Sequence, residues 1–341
     1  MYALDKVDDV VTPQSIVIKY IHVYKKAGLS EAIFDNIHLE DKIYHNLSKK
    51  DDIFYAYRIL FKDSPLTDAR LETIINKNGN CELKNQNEII LKNLIALFNK
   101  LDNSDGHFYP YANFISDLLQ SLFEGTKLKP KFRDKKPNED KRSRELLQDI
   151  CDKYSVLKKR GMVEYGYLNT SLFMDMISLD PFTFGNMEIA LLLLYILIIN
   201  SDISVFRYVS FFKMLYERMN TFNNAINNAK LMYEIGYPNL FPILAIILDI
   251  ESKALDELER IQQSKKFDKE LPKAKIIETI IYALPKQFKK SDIREEAPNI
   301  SDSTIDRVLS ELSREGKIMA FDSGRNASWV RIDETHDNKY F

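Results

Sequence analysis

Glycine, cysteine and tryptophan are scarce in this chain of 341 residues, which contains ten, two and one of them. The two cysteines, Cys81 and Cys151, lie far apart and form no Cys-x-x-Cys pair. This spacing argues against a disulfide framework and against a zinc site, and it predicts a reducing, cytoplasmic compartment. Because glycine is rare and helical periodicity dominates, the sequence predicts a mainly α fold.

Long apolar runs and a strong net charge are missing as well. The most apolar segment, Ile189–Ile199, is shorter than the roughly 20 residues that cross a bilayer, and the N-terminus has no pattern typical of a signal peptide. The net charge of -2 excludes a chain that is basic throughout, although it leaves room for a local basic face. Because the longest apolar run is too short to span a bilayer, we expect no membrane partner. The five histidines show no metal-binding spacing, so we expect no metal site.

Helical periodicity divides the chain into three predicted regions. These are an N-terminal helical region at 1–84, a helical domain at 85–265 and a small α+β domain at 272–334. A polar stretch at 262–272 separates the last two regions. Within the helical domain, apolar residues at helical spacing predict a single helix over 204–219.

The helical domain is organised around a loop that opens into the most apolar segment of the chain. The loop, 180–186, contains proline, aromatic residues and a Gly-Asn pair, and in Ile189–Ile199 only Tyr195 carries a polar atom. A helix that is apolar on all sides belongs in the interior of a bundle. Because the N-terminal end of a helix carries partial positive charge, this loop is suitably placed to meet a phosphate.

This junction resembles the motif of Fic proteins, His-Pro-Phe-x-Asp/Glu-Gly-Asn-Gly-Arg-x-x-Arg. Pro181, Phe182, Gly185 and Asn186 match it, and the helix order over about 85–265 is similar. The resemblance implies a Fic-like helical bundle. Fic proteins typically transfer AMP from ATP to a hydroxyl of a target protein, with the His as base, the acid on a metal ion and the arginines on phosphate. Gly185 and Asn186 would be remnants of such a nucleotide site.

The positions that carry the chemistry in that motif are replaced. Asp180 stands at the His position, Phe184 at the metal-binding acid, and Met187 at the second Gly; Glu188 and Leu191 replace the two arginines. The resemblance therefore implies a degenerate site with no catalytic residue, and we expect no cofactor.

A second, looser resemblance concerns Glu72. Many Fic proteins carry an inhibitory helix with a Ser/Thr-x-x-x-Glu motif, whose Glu pairs with the second motif arginine. Glu72 aligns with that Glu, but Asp68 stands at the Ser/Thr position and Leu191 cannot form the pair. An ordinary surface glutamate on an amphipathic helix is the simpler interpretation.

A basic stretch precedes the motif. The segment 127–144 contains nine Lys or Arg and three acids, and Lys131-Phe132-Arg133 within it resembles the element before the Fic flap. Two interpretations stay open: the segment grips phosphate or nucleic acid, or it is a solvated loop.

The pattern of the C-terminal region resembles a winged helix-turn-helix domain, which many Fic proteins carry at this end. Three helical segments precede two strand-like segments, with a turn at 322–326. The resemblance places Ser303, Thr304, Arg307 and Arg314 outward on a recognition helix and Arg325 at the tip of the wing, as DNA-binding residues. However, acids on the same helix would repel phosphate. Docking of a protein partner or of a second copy of the chain is an equal alternative.

Three functions follow from these observations. The first is a catalytically degenerate Fic-like protein that regulates or interacts, through a protein partner or DNA. The second is an adenylyltransferase with a divergent site, which would use ATP and magnesium. The third is a plain transcription regulator with a helical dimerisation body.

Overall fold

The mainly α fold predicted from the sequence is confirmed. A computed structural model describes residues 2–34, 40–102, 108–134, 141–201, 203–234, 238–267, 273–298, 300–321 and 328–332. The chain is 70% helical, with a small antiparallel sheet near the C-terminus. The α-helices in the described ranges are α1 (Gln14–Phe34), α2 (Glu40–Leu60), α3 (Asp68–Asn76), α4 (Gln86–Asp102), α5 (Ala112–Leu122), α6 (Ser143–Arg160), α7 (Tyr165–Leu179), α8 (Asn186–Ile199), α9 (Phe211–Tyr216), α10 (Met219–Glu234), α11 (Phe241–Phe267), α12 (Lys273–Ala283), α13 (Lys290–Glu296) and α14 (Asp302–Arg314).

The helices belong to two compact units. The first unit comprises residues 1–65 and 78–259, and the second comprises residues 66–77 and 260–341. The helix α3 therefore belongs to the second unit, and α11 begins in the first and ends in the second. The three regions expected from the sequence stay a prediction.

The first unit is built around α8. Every side chain from Ile189 to Ile198 is buried, because this helix is apolar on all sides and has no face that suits water. The helices α5 and α7 pack against it. Within the described ranges, no helix combines the length and the apolar character that crossing a bilayer requires.

A buried carboxylate ties three elements of this unit together. Asp52 on α2 accepts hydrogen bonds from the Tyr195 hydroxyl of α8 (3.0 Å), the Ser210 hydroxyl (2.7 Å) and the Phe212 N–H (2.8 Å). Burial raises the pKa of Asp52 to about 7, although all three donors favour its charged form. The last two donors lie at the start of α9.

These bonds explain why the single helix expected over 204–219 is divided. The structure has a short 3₁₀ helix, Ser204–Arg207, and then the separate helix α9. Ser210 caps α9 by accepting the N–H of Lys213 (3.1 Å). A helix that starts at this cap cannot continue the preceding turn.

The second unit contains the small sheet. The strands β1 (Gln287–Lys289), β2 (Ile318–Ala320) and β3 (Ser328–Arg331) pair antiparallel in the order β1-β3-β2. The sequence predicted β2 and β3 but not β1, which is too short to show alternation. The unit's core is formed by α12, α13, α14 and the sheet, with its buried apolar side chains at Ile277, Ile280, Ile281, Leu284, Phe288, Ile293, Ala297, Ile300, Ile305, Val308, Leu309, Leu312 and Ile318.

The Asp52 network predicts a large stability difference between two neighbouring acids. Asp52→Ala would remove the acceptor of three buried hydrogen bonds, so we expect the free energy of unfolding to fall by at least about 3 kcal/mol. Asp51→Ala removes only an exposed ion pair with Lys213 and should cost at most about 1 kcal/mol. Urea unfolding of both variants measures the difference, and equal midpoints would contradict the role given to Asp52.

Candidate functional site

The candidate site is the loop that joins α7 to α8. Asp180, which ends α7, and Gly185, which precedes α8, both adopt left-handed backbone conformations, with φ of 49° and 80°. Between them the chain turns tightly, and Phe182 is buried. A Cβ at position 185 would lie 2.7 Å from Cδ1 of Leu119, so the close approach of α5 also requires glycine here.

The motif-like segment 131–133 lies directly beside this loop. The Arg133 N–H donates to the Pro181 carbonyl (2.8 Å), and the Thr183 N–H donates to the Lys131 carbonyl (2.9 Å). These bonds form an antiparallel bridge in which the rings of Phe132 and Phe182 pack with centroids 4.7 Å apart and planes tilted by 32°. The loop is thus held by a neighbouring strand-like segment.

The same bridge brings Arg133 onto Asp180. A terminal guanidinium nitrogen of Arg133 lies 3.0 Å from Oδ2 of Asp180, and its Nε donates to the Asp180 carbonyl (3.1 Å). Both side chains are partly exposed, so the pair contributes little to stability. It nevertheless places the carboxylate at the His-equivalent position in contact with a permanent positive charge.

Asn186 closes the loop on itself. Its Oδ1 accepts the Phe182 N–H (2.8 Å), and its Nδ2 donates to the Phe182 carbonyl (2.7 Å). The amide therefore holds the backbone of the loop rather than pointing its donors outward.

The first turn of α8 carries an acidic side chain, Glu188. Burial raises the pKa of Glu188, while the N–H of its own residue, at the end of the helix, favours the charged carboxylate. An anion that approached this helix end would meet that carboxylate.

The remaining replaced positions serve packing. The ring of Phe184 meets that of Phe123 edge to face, with centroids 5.2 Å apart. Met187 is half-buried and Leu191 fully buried. In the described ranges, no group of three or more His, Cys, Asp or Glu side chains is arranged to hold a metal ion.

An open pocket of about 570 Å³ lies along the chain just before the bridge. It is formed by the end of α5 and the segment 123–131, and its lining includes the basic Lys129 and Lys131 and the acidic Asp117 and Glu124. Its charges are mixed, so the described part of the basic stretch forms no uniformly positive surface. Residues 135–140 of that stretch lie outside the described residues.

Glu72 lies on α3 and is half-buried. Thr67 caps this helix by accepting the N–H of Arg70 (3.4 Å). Because α3 belongs to the second unit and the motif loop to the first, the inhibitory role suggested for Glu72 stays a prediction.

The predicted DNA-binding residues lie mostly on α14. Ser303, Arg307 and Arg314 are exposed and Thr304 is half-buried, while Arg325 lies outside the described residues. Ile305, Val308, Leu309 and Leu312 form the buried stripe of the helix.

Sequence reasoning missed the partners of two acids on α14. Asp302 pairs with Arg294, and Asp306 lies 2.6 Å from Nζ of Lys290, both basic residues being on α13. Two of the acids that were expected to repel phosphate, Asp302 and Asp306, thus have basic partners within the unit. The spacing of residues along one helix does not reveal which side chains of another helix will lie beside it, so these pairs could not be predicted from the sequence.

Comparison with known proteins finds similar solved structures but no matching sequence. No family profile and no curated protein sequence matches the chain. Solved structures do: a Fic family protein from Desulfovibrio desulfuricans has a TM-score of 0.55 at 10% identity, covering 95% of this chain and 98% of that one. A Fic domain containing signaling protein from Bacteroides thetaiotaomicron gives 0.54 at 16%, covering 72% and 98%. Fic-1 from C. elegans gives 0.54 at 13%, covering 71% and 72%. The chain therefore has a Fic-like fold.

The close approach of α5 to the loop predicts the effect of a single methyl group. Gly185→Ala must hold a left-handed residue and also displace Leu119, so we expect a loss of about 2–4 kcal/mol in the free energy of unfolding. Gly161→Ala is the matched control: φ is 64° there, but nothing lies within 4 Å of an added Cβ. It should cost about 1 kcal/mol. Thermal unfolding compares the two, and a control as damaging as Gly185→Ala would exclude a steric role for Leu119.

Proposed function

We propose that this chain is a catalytically degenerate Fic-like protein that acts as a regulatory or interaction protein and transfers no AMP. The observation that carries the proposal is the pairing of Asp180, at the position of the Fic base, with Arg133. A carboxylate is a weaker base than an imidazole near neutral pH, and here one of its oxygens is already engaged by the guanidinium of Arg133.

Electrostatics at the helix end support the same conclusion. Transfer of a nucleotidyl group depends mainly on positive groups that stabilise phosphate in the transition state. Here Glu188 occupies the first turn of α8, and Leu191 is buried in the core where the motif has an arginine. The loop thus offers an incoming phosphate a carboxylate where a Fic enzyme offers a guanidinium.

The remaining motif residues support a structural role for the loop. The side-chain amide of Asn186 makes hydrogen bonds to the Phe182 backbone through both its oxygen and its nitrogen, and Gly185 leaves room for Leu119. Phe184 packs on Phe123 at the position where a metal-binding acid would stand. These contacts explain why these residue types occur in the loop even if it binds no nucleotide.

A radiolabel experiment tests this proposal. The full chain, incubated with α-labelled ATP, magnesium and a cell lysate, should transfer no label above the level of an Asp180→Ala variant. The expected result follows from the absence of a free base and of phosphate-neutralising arginines in the loop. A catalytically active Fic protein provides the positive control, and label that depends on Asp180 would instead support the divergent adenylyltransferase.

A specific observation favours DNA as the partner of the second unit. Lys290 and Arg294 neutralise Asp306 and Asp302, which leaves α14 with a less acidic exposed face than its sequence suggests. Within the described ranges Arg307 is exposed and makes no ion pair. We infer that α14 acts as a recognition helix, in the manner of a winged helix-turn-helix domain, and that the chain regulates transcription in the cytoplasm.

Mobility-shift titration of the full chain on genomic DNA fragments tests this role. Removing two phosphate contacts in the variant Arg307→Ala, Arg314→Ala should lower the slope of log affinity against log salt by about 1.8. The control is Lys317→Ala, which removes an equal charge per site from a residue that already pairs with Glu278 and Glu315. If the chain does not bind DNA even at low salt, the DNA-binding role of α14 is wrong, and the result supports docking of a protein partner or of a second copy of the chain.

A further inference from the structure

Residues 2–9 form a short segment that lies against the helices of the first unit. It contains two 3₁₀ turns, Ala3–Asp5 and Val7–Asp9, and it precedes α1. Ala3, Leu4 and Val7 are buried, although the segment is too short to have a core of its own. We call residues 2–9 the strap, and the surface of α6, α7 and α10 that receives it the groove.

A buried carboxyl group in the groove binds the backbone of the strap. Oδ1 of Asp175, on α7, accepts the Ala3 N–H (2.6 Å), and Oδ2 accepts the Leu4 N–H (3.1 Å). The Tyr233 hydroxyl of α10 lies 2.7 Å from the Ala3 nitrogen. Asp175 is fully buried, so an empty groove would leave both of its oxygens without these donors. The groove therefore needs a segment whose backbone N–H groups reach this carboxyl group.

Two ion pairs determine which segment fits and in which register. Asp5 of the strap pairs with Lys153, and Asp8 pairs with both terminal nitrogens of the Arg160 guanidinium. The two basic residues lie about two turns apart on α6. Because these side chains are partly exposed, the pairs contribute little to affinity, but they select an acidic segment.

The strap is joined to α1 by an exposed link. Residues 10–13 form no helix or strand, and Val11 within them is 88% exposed. The contacts described above lead from the strap to α6, α7 and α10, which lie far away in the chain. A strap from a second copy of the chain would make the same contacts, because it has the same sequence. Only the path of the link differs between the two arrangements, which is the condition under which proteins exchange an element.

An apolar surface follows this link directly. Val17, Ile18 and Ile21 are exposed on the first two turns of α1, whereas Ile16 and Val23 of the same helix are buried. A helix that is apolar on more than one face is typically covered on each of them, and clustered exposed apolar residues mark interaction sites. A second copy whose link crosses this region would cover that face.

We propose that two copies of this chain exchange their straps and form a dimer. Asp175 of each copy then binds the backbone of Ala3 and Leu4 of the other, so each chain completes the groove of its partner. The exchange keeps the contacts that the strap makes within one chain and adds the burial of Val11 and of the exposed face of α1. This added burial favours the dimer as the protein concentration rises.

Cross-linking between two variants of the full chain tests the exchange. One variant carries Asp5→Cys and the other Lys153→Cys, which replace the two members of an exposed ion pair. Both also carry Cys81→Ser, while Cys151 is buried and stays unaltered. The variants are mixed at high concentration, left to exchange and treated with a short bismaleimide. We expect a product of twice the chain mass that joins one variant to the other.

The matched control mixes Asp51→Cys with Lys213→Cys, which replace an exposed ion pair that does not involve the strap, and it should give no such product. A chain that carries both Asp5→Cys and Lys153→Cys reports where the strap lies. If this chain cross-links only internally and the mixture gives no product of twice the mass, each strap stays in its own groove and the proposal is wrong. The absence of a cross-link in both arrangements would also contradict it, since the strap would then not occupy the groove.

Light scattering over a range of concentrations tests the apolar face. Ile21→Ser should raise the Kd of the dimer by at least about tenfold, because the side chain is covered only in the dimer. It should leave the yield of cross-linking between positions 5 and 153 within a monomer unchanged. Leu128→Ser alters another exposed apolar residue of the first unit and should dimerise like the unaltered chain. A chain that stays monomeric at every concentration, or a dimer that is equally stable in both variants, would overturn the proposal.

Discussion

The burial of α8 is the constraint on which the first unit depends. No side of this helix suits water, so neighbouring helices must cover its whole length, and α5 and α7 pack directly on it. Between Ile189 and Ile198 the Tyr195 hydroxyl, which bonds Asp52, is the one polar side-chain group of this helix, and its other polar side chains lie in its first turn. The motif loop lies at the N-terminal end, and a cavity of about 30 Å³, lined by Ile198, Ser201 and Glu251 among others, lies at the C-terminal end. The places where this unit can carry chemistry are therefore set by the geometry of one apolar helix.

The motif loop shows how a site can keep its shape without its reactive groups. The residues that match the Fic pattern are those that make internal contacts: Phe182 packs against Phe132, Gly185 leaves room for Leu119, and Asn186 bonds the Phe182 backbone. The replaced positions, such as Phe184, contribute packing instead. Because these internal contacts hold the backbone, the loop keeps its path although other motif positions carry different residues.

The sequence predicted the features that depend on local periodicity. The apolar helix α8 and the buried stripe of α14 follow from the spacing of their apolar residues, and both are present in the structure. Two features were not predicted. The interruption of the helix within 204–219 depends on Asp52, which is far away in the chain, and the strand β1 is only three residues long. The pairs Arg133–Asp180 and Lys290–Asp306 were also beyond reach, because each joins elements that only folding brings together.

The charges at the two ends of α8 lead to one electrostatic conclusion. The N-terminal end of a helix attracts anions, but here Glu188 already supplies a carboxylate, so a phosphate would have to displace or neutralise it. At the C-terminal end, Glu251 and Glu164 lie beside a helix end that is partly negative. Each end of α8 therefore carries an acid next to buried apolar surface, and burial raises the pKa of both Glu188 and Glu251.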